Sequence, residues 1–287
     1  MKKKKKTRLL ICCALLSCAL CFLIQRCSFL YLEHINARFV SPVPNVNTII
    51  RLQKIHKLRG DVLIMGSSMT ECLPATDKIA VIGIPGSSFL AALEVMKNTL
   101  SFPEKTVYVI ETDNLFKGIN HDVLKRTKKW DFLLFKNSKH FSIAAKPCHL
   151  LLSSFYALIR PDLRAFRKVS ELNSDIQAPE ELSAVPSLTL QEQTEWKDIF
   201  EGIEKIRAMN GKICFVRFPT RQADKYDQNY ANACKIAKHL NLPVLNFNTE
   251  SWRSHLEFSD SHHLRSQNIK TEMFREVIAR DAKACAR

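Results

Sequence analysis

The sequence predicts an α/β protein built on a mostly parallel five-stranded sheet, and three observations predict it. Short apolar runs rich in branched residues recur at 61–65, 78–82, 106–110, 212–216 and 242–246. Stretches with apolar residues at helical spacing separate most of them, and regular strand–helix alternation implies parallel pairing through right-handed crossovers. Four of the runs lead into glycine or polar residues, which is where an α/β sheet carries its chemistry. At 287 residues and 46% hydrophobic content, the chain can bury the core of one such domain with insertions.

The amino terminus reads as a targeting element. Lysines at 2–6 and Arg8 precede an apolar run over 9–24 that only Ser17 interrupts. Gln25 and Arg26 break it before Cys27-Ser-Phe-Leu-Tyr-Leu32 resumes it. The uncharged run falls just short of the roughly 20 residues a bilayer needs. Tilt and snorkelling of Arg26 make up the difference. Three readings compete over 1–32: an uncleaved signal anchor, a cleaved signal peptide, and a lipoprotein modified at Cys18. The run lacks an A-x-A-like cleavage site and continues well past Cys18, so the single-pass anchor is preferred. The basic cluster then stays in the cytoplasm and places the remainder outside it.

Residues 33–60 read as a tether with an extended Ser41-Pro-Val-Pro44 and a short helix over 49–58, and the domain occupies 61–287. Its first strand ends at Gly66 and its second at Gly83-Ile-Pro-Gly86. Ser87 then caps a helix whose Phe89, Leu93, Met96 and Leu100 share one face. A third strand leads into Glu111-Thr-Asp-Asn114. From about 117 to 190 the alternation stops in favour of a helical, amphipathic, basic insertion broken by Pro147 and Pro161. It is read as packing on the domain's rim or, alternatively, as a lid or membrane-facing cap. The pattern returns with a helix stripe of Trp196, Ile199, Phe200, Ile203 and Ile206, a fourth strand ending at Arg217, and a helix marked by Tyr230, Cys234 and Ala237. A short fifth strand follows. A final helix capped by Ser266 turns Ile269, Met273, Phe274 and Val277 inward.

Charge and cysteine content exclude some classes. The chain carries a net charge of +15, yet six of its basic residues sit in the first eight positions, where topology explains them. No zinc-finger or aromatic–basic RNA-binding pattern accompanies the rest, so no nucleic-acid partner is expected. Attraction to anionic lipid or envelope polymer fits better. Of ten cysteines, five lie in or beside the apolar segment and five are scattered, so no disulfide framework is expected. Cys214 and Cys234 read as core residues.

In a parallel sheet, Ser68, Gly83, Asp113-Asn114 and Arg217 all fall on one edge. Asp260 and His263 lie in the loop before the last helix and can reach it. Ser68 is the candidate nucleophile, since a serine hydroxyl needs a base and His263 can supply one. Asp260, three residues earlier, can accept the other ring N–H and fix the tautomer. The N–H groups of Ser68 and Gly83 suit an oxyanion, and Asn114 can add a side-chain donor. Arg217 either binds a substrate anion or forms an ordinary salt bridge. Asp260, His262 and His263 lack a fourth ligand and helical spacing, so no metal and no other cofactor is expected. Cys72 reads as packing beneath the site.

At this point the chain resembles a family. Gly66-Ser-Ser-Met-Thr70, Gly83-Ile-Pro-Gly86 and Asp260-Ser-His-His263 are similar to the first, second and last blocks of the SGNH (GDSL-type) hydrolases, over 61 to about 116 and about 191 to 277. The resemblance implies a flavodoxin-like, three-layer α/β/α fold, with Ser68 as nucleophile, Gly83 as oxyanion donor, and Asp260 and His263 as acid and base. Two positions depart from the family pattern. Ser67 stands where an acidic residue is usual, and Asp113 occupies the asparagine slot of the third block, with Asn114 one residue on. Membrane-anchored relatives of this kind often acylate or deacylate envelope polymers. The expected function is therefore an extracytoplasmic serine esterase or O-acyltransferase acting on an acylated glycan or other small ester. The rival is an inactive protein of the same fold that binds glycan or a membrane-protein partner.

Overall fold

A computed structural model describes residues 2–34, 48–49, 52, 61–76, 78–99, 106–129, 176–177, 182, 184–222, 227–265 and 269–285. The chain divides into two compact units, one of residues 1–53 with 134–165 and the other of 54–133 with 166–287.

In the first unit, helix α1 (Lys2–His34) runs unbroken through Gln25 and Arg26. Its stretch Ile11–Ser28 is long and apolar enough to cross a membrane. Length and composition of this kind also suit a signal sequence. Most of the expected tether and the bulk of the helical insertion, from 130 to 175, lie outside the described residues.

The second unit holds the sheet. Its strands are β1 (Val62–Gly66), β2 (Ile79–Gly83), β3 (Val107–Glu111), β4 (Ile176–Gln177), β5 (Lys212–Arg217) and β6 (Val244–Asn246). They lie in the order β2-β1-β3-β5-β6-β4. The four pairings among the five predicted strands are all parallel, with Gly66 opposite Gly83 and Glu111 opposite Val216. The sequence reading omitted β4, a two-residue strand that pairs antiparallel with β6 at the edge. The first three strands each begin and end one residue later than predicted. Polar Asp61, Lys78 and Thr106 stay outside the ladder, while Gly66, Gly83 and Glu111 continue it.

Helices cover both faces because both faces of the central strands are apolar. On one, Val62, Ile64, Val107, Val109, Cys214 and Val216 join a cluster with Phe274, Val277 and Ile278 of helix α9 (Ile269–Cys285). Phe274 lies 5.1 Å from Phe247 and 5.2 Å from Trp252 between ring centroids. Trp252 belongs to α8 (Glu250–His255). On the other face, α3 (Phe89–Thr99) packs against α6 (Lys197–Ala208), which follows the short α5 (Leu190–Glu195), at Gly202, where a Cβ would come within 2.6 Å of the Leu90 side chain. The predicted stripe residues Ile199, Ile203 and Ile206 are buried there. Cys214 and Cys234 are core residues as expected, the latter on α7 (Asp227–Leu240). Met273 is only half-buried on α9. Ser87 does not cap α3; its hydroxyl accepts from Asn120 N–H at 2.7 Å, which ties the loop after β2 to the start of α4 (His121–Thr127).

Candidate active site

The nucleophile's side of the site is assembled where β1 stops. Ser67 caps the four-residue helix α2 (Ser68–Glu71), its hydroxyl accepting from Met69 N–H at 3.2 Å. That turn is seated against the sheet by two glycines. A Cβ on Gly83 would lie 2.1 Å from the Glu71 nitrogen, and one on Gly66 would lie 2.3 Å from both Glu111 Oε2 and Thr70 Oγ1. Only a residue without a side chain permits these approaches.

Glu111 is the group around which the turn is built, and it was not among the residues singled out from the sequence. Standing at the end of β3, it is 1% exposed. Oε2 accepts from Ser67 N–H at 2.9 Å, Thr70 N–H at 3.2 Å and the Thr70 hydroxyl at 2.6 Å. Oε1 accepts from the Ser67 hydroxyl at 2.6 Å and Asn114 Nδ2 at 2.7 Å. A buried acid is tolerable only with such partners. Its sequence signal was present: a carboxylate closing the otherwise uncharged strand Val-Tyr-Val-Ile-Glu111 is rare without a buried partner.

The other side of the site is a local turn. Phe258 and Leu264 form an antiparallel bridge, and Ser259 N–H donates to His263 O at 2.9 Å. Inside it, Asp260 Oδ1 accepts from the N–H groups of His262 and His263 at 2.9 and 2.8 Å. Its Oδ2 lies 2.7 Å from His263 Nδ1. Burial works against the Asp260 charge, but the two backbone donors and the hydrogen bond from the His263 ring outweigh it and hold the carboxyl well below the usual range. A carboxylate accepts only, so Nδ1 carries the proton and Nε2 presents its lone pair. His263 Nε2 lies 2.8 Å from Ser68 Oγ, across 195 residues of chain. The three residues expected to meet do meet. His262 turns its Nδ1 to the Ser261 hydroxyl at 2.7 Å.

Asn114 and Asp113 need correction as site donors, and Arg217 takes one of its two expected roles. Asn114 is buried, and its two amide hydrogens face Ser67 Oγ at 2.8 Å and Glu111 Oε1, so it braces the turn and offers no donor outward. Asp113 is fully buried and accepts from Phe218 N–H at 3.0 Å, while its Oδ1 has no hydrogen-bond partner. Burial, aided by the nearby Glu111, pushes the Asp113 carboxyl up to about 8, against the opposing pull of Phe218 N–H and Arg217. Arg217 is ion-paired with Asp227 and lies 4.4 Å over the Tyr230 ring. Of its two expected roles it therefore takes the salt bridge, with the guanidinium buried and the Asp227 carboxylate exposed, and does not bind an anion.

The backbone donors fare differently. The N–H groups of Ser67, Met69, Thr70 and Glu71 all have acceptors, whereas that of Ser68 has none among the described residues. Ile84 N–H donates to Gly66 O at 3.0 Å. Successive strand amides point to opposite sides, so that of Gly83 points off the unpaired edge of β2. The ligand-type atoms of Asp260, His262 and His263 lie within 4.8 Å of one another, but the Asp260 oxygens are already engaged by hydrogen bonds from the turn. Cys72 is half-buried against the core cluster.

No family model matches the chain, and no curated protein matches it significantly. The site's geometry is what a functional reading rests on.

Proposed function

We propose that the protein is a membrane-anchored, SGNH-like serine esterase or O-acyltransferase whose domain lies outside the cytoplasm and acts on acyl esters of envelope glycans or polymers. One observation carries the reading: Ser68 Oγ, His263 and Asp260 form a continuous hydrogen-bonded relay at 2.8 and 2.7 Å. The order of the five parallel strands, 2-1-3-4-5 when the short edge strand is left out, supports a flavodoxin-like fold. Helix α1 and the lysines before its apolar stretch support the anchor and its orientation.

In this reading Ser68 Oγ attacks the ester carbonyl as His263 Nε2 takes its proton. The N–H group of Ser68 receives the oxyanion. His263 returns the proton to the departing alcohol, leaving acyl-Ser68. Water or a sugar hydroxyl, deprotonated by the same imidazole, then takes the acyl group and frees the serine. Asp260 keeps the ring oriented throughout.

Full commitment of the Asn114 amide to the interior favours a second reading, an inactive fold that binds glycan or a membrane partner. A panel of 4-nitrophenyl esters beginning with the acetate separates the two. Wild type should exceed Ser68→Ala by about 10^3-fold or more. Equal rates would remove the enzyme.

A further inference from the structure

A groove of about 480 Å3 opens beside the turn that carries Asp260 and His263, and three arginines line it: Arg221, Arg253 and Arg265. Its connection to the reacting groups is covalent and hydrogen-bonded. Phe258 and Arg265 line the groove and flank the turn, and Arg221 N–H donates to Ser261 O at 3.0 Å within it. Arg265 follows His263 by two residues, a reach of at most about 7 Å along the chain.

The arginines are unequally engaged. Arg253 Nη1 donates to the Asn248 backbone and side-chain oxygens, both at 3.2 Å. Arg265 lies 3.5 Å from Glu257, an exposed pair in which the carboxylate also faces Lys270 at 3.7 Å. The Arg221 guanidinium has no hydrogen-bond or ion-pair partner among the described residues. Glu250 and Glu257 also line the groove, and with three arginines against them the lining is net positive. Guanidinium groups converging on one cavity suit an oxyanion ligand, because the planar fork matches phosphate and carboxylate geometry. The larger cavity of about 690 Å3 beside Trp196 and Asn229 is different in character. There Lys235 is paired with Glu192 at 2.6 Å and Gln228 with Asn232 at 3.2 Å, so several of its polar groups satisfy one another.

We propose that this groove is an anion subsite, so that the preferred ester, acting on the acyl-transfer reading above, carries a phosphate or carboxylate beside its reacting carbonyl. Arg221 and Arg265 hold that group while the ester reaches Ser68. Neutral esters react without this contact and are the poorer substrates.

Binding and turnover are tested separately. Full-length Ser68→Ala protein in detergent micelles is titrated by calorimetry with inorganic pyrophosphate and, in a second arm, with succinate, at ionic strength fixed by chloride. The expected result is one saturable site for at least one anion, weakened about tenfold or more when Arg221→Gln and Arg265→Gln are added. The arm that binds tighter assigns phosphate or carboxylate as the source. Absence of saturable binding, or equal binding with and without the arginines, overturns the subsite. Arg221→Gln alone, which removes no contact within the fold, must weaken binding in the same direction, and an unchanged thermal midpoint certifies both variants. With Ser68 present, the kcat/KM ratio of an anionic ester (4-nitrophenyl succinate if carboxylate is assigned, 4-nitrophenyl phosphonoacetate if phosphate is) to 4-nitrophenyl acetate should fall about tenfold in the double variant, and an unmoved ratio again overturns the subsite. Failure of wild type to cleave either ester would remove the acyl-transfer reading, with the titration still deciding the groove.

Discussion

The two halves of the candidate site are built by opposite means. Ser68 sits on a turn braced from beneath by Glu111 and Asn114, buried groups 41 to 47 residues away in sequence. Asp260 and His263 are held by a turn that hydrogen-bonds to itself, with Asp260 exposed. Placement of the nucleophile is thus part of the folding of the sheet. Placement of the base is a property of a few residues of loop, joined to the sheet's end by Arg221 N–H. Changes to the loop should alter chemistry and spare the fold, while changes beneath the nucleophile should damage both.

His263→Ala is the sharpest test of the first half of that statement. Ester turnover should fall on the order of 10^3-fold, about 4 kcal/mol of transition-state stabilisation. Stability to urea should stay within about 0.5 kcal/mol, as for an exposed loop change. A large loss of stability would erase the distinction between the halves.

Glu111→Ala should do the reverse. It strands the Ser67 and Thr70 donors and the Asn114 amide in the interior, and loss of about 3 kcal/mol in urea unfolding is expected, with activity falling too. Glu111→Gln retains volume but aims an N–H at other donors, so it should recover only part. A fully stable Glu111→Ala protein would mean that the network is ornamental.

Asp113 gives the buried half a pH signature. Its carboxyl is raised in the folded protein to about 8 from an ordinary 3.8, so the native state holds a proton that the unfolded chain releases. Its contribution to stability is therefore fully present below about pH 4 and is lost as pH rises through about 8. The slope is up to about 1.4 kcal/mol per pH unit in that window. Asp113→Asn should abolish this component, which urea titrations at several pH values would read as a flatter stability profile than wild type. Parallel profiles would mean that Asp113 titrates normally.

The smallest effect belongs to Thr70→Val, which deletes one hydroxyl bond to Glu111 at 2.6 Å and keeps the shape. About 1 kcal/mol of stability should go, with little change in the ester ratio between substrates.

What could be read from the sequence follows the same division. Asp-x-x-His was legible because its spacing alone puts one carboxylate on a backbone N–H and a ring N–H. Ser68 was legible because a branched apolar strand ending in Gly-Ser-Ser announces a strand-to-turn junction. Glu111 was passed over because its partners are remote, and the local sign, a carboxylate closing an uncharged strand, does not say which groups cover it. The misreading of Asn114 followed directly, since the direction of its amide depends on that acceptor. Arg217 was undecidable for the same reason, its ion-pair partner Asp227 lying on the next helix. Strand β4 left no pattern because two residues carry no periodicity. The parallel sheet itself was legible through the length and composition of its strands, whose ends shifted by a residue where ladder pairing outran the apolar run.

The central claim is that Ser68 and His263 share a proton, and chemical labelling tests it most directly. Full-length protein is exposed to a fluorophosphonate ester and the modified peptide is located by mass spectrometry. The account predicts stoichiometric phosphonylation of Ser68 that slows about 10^3-fold in His263→Ala. Labelling that ignores His263, or an unmodified Ser68 in the wild-type protein, would contradict it.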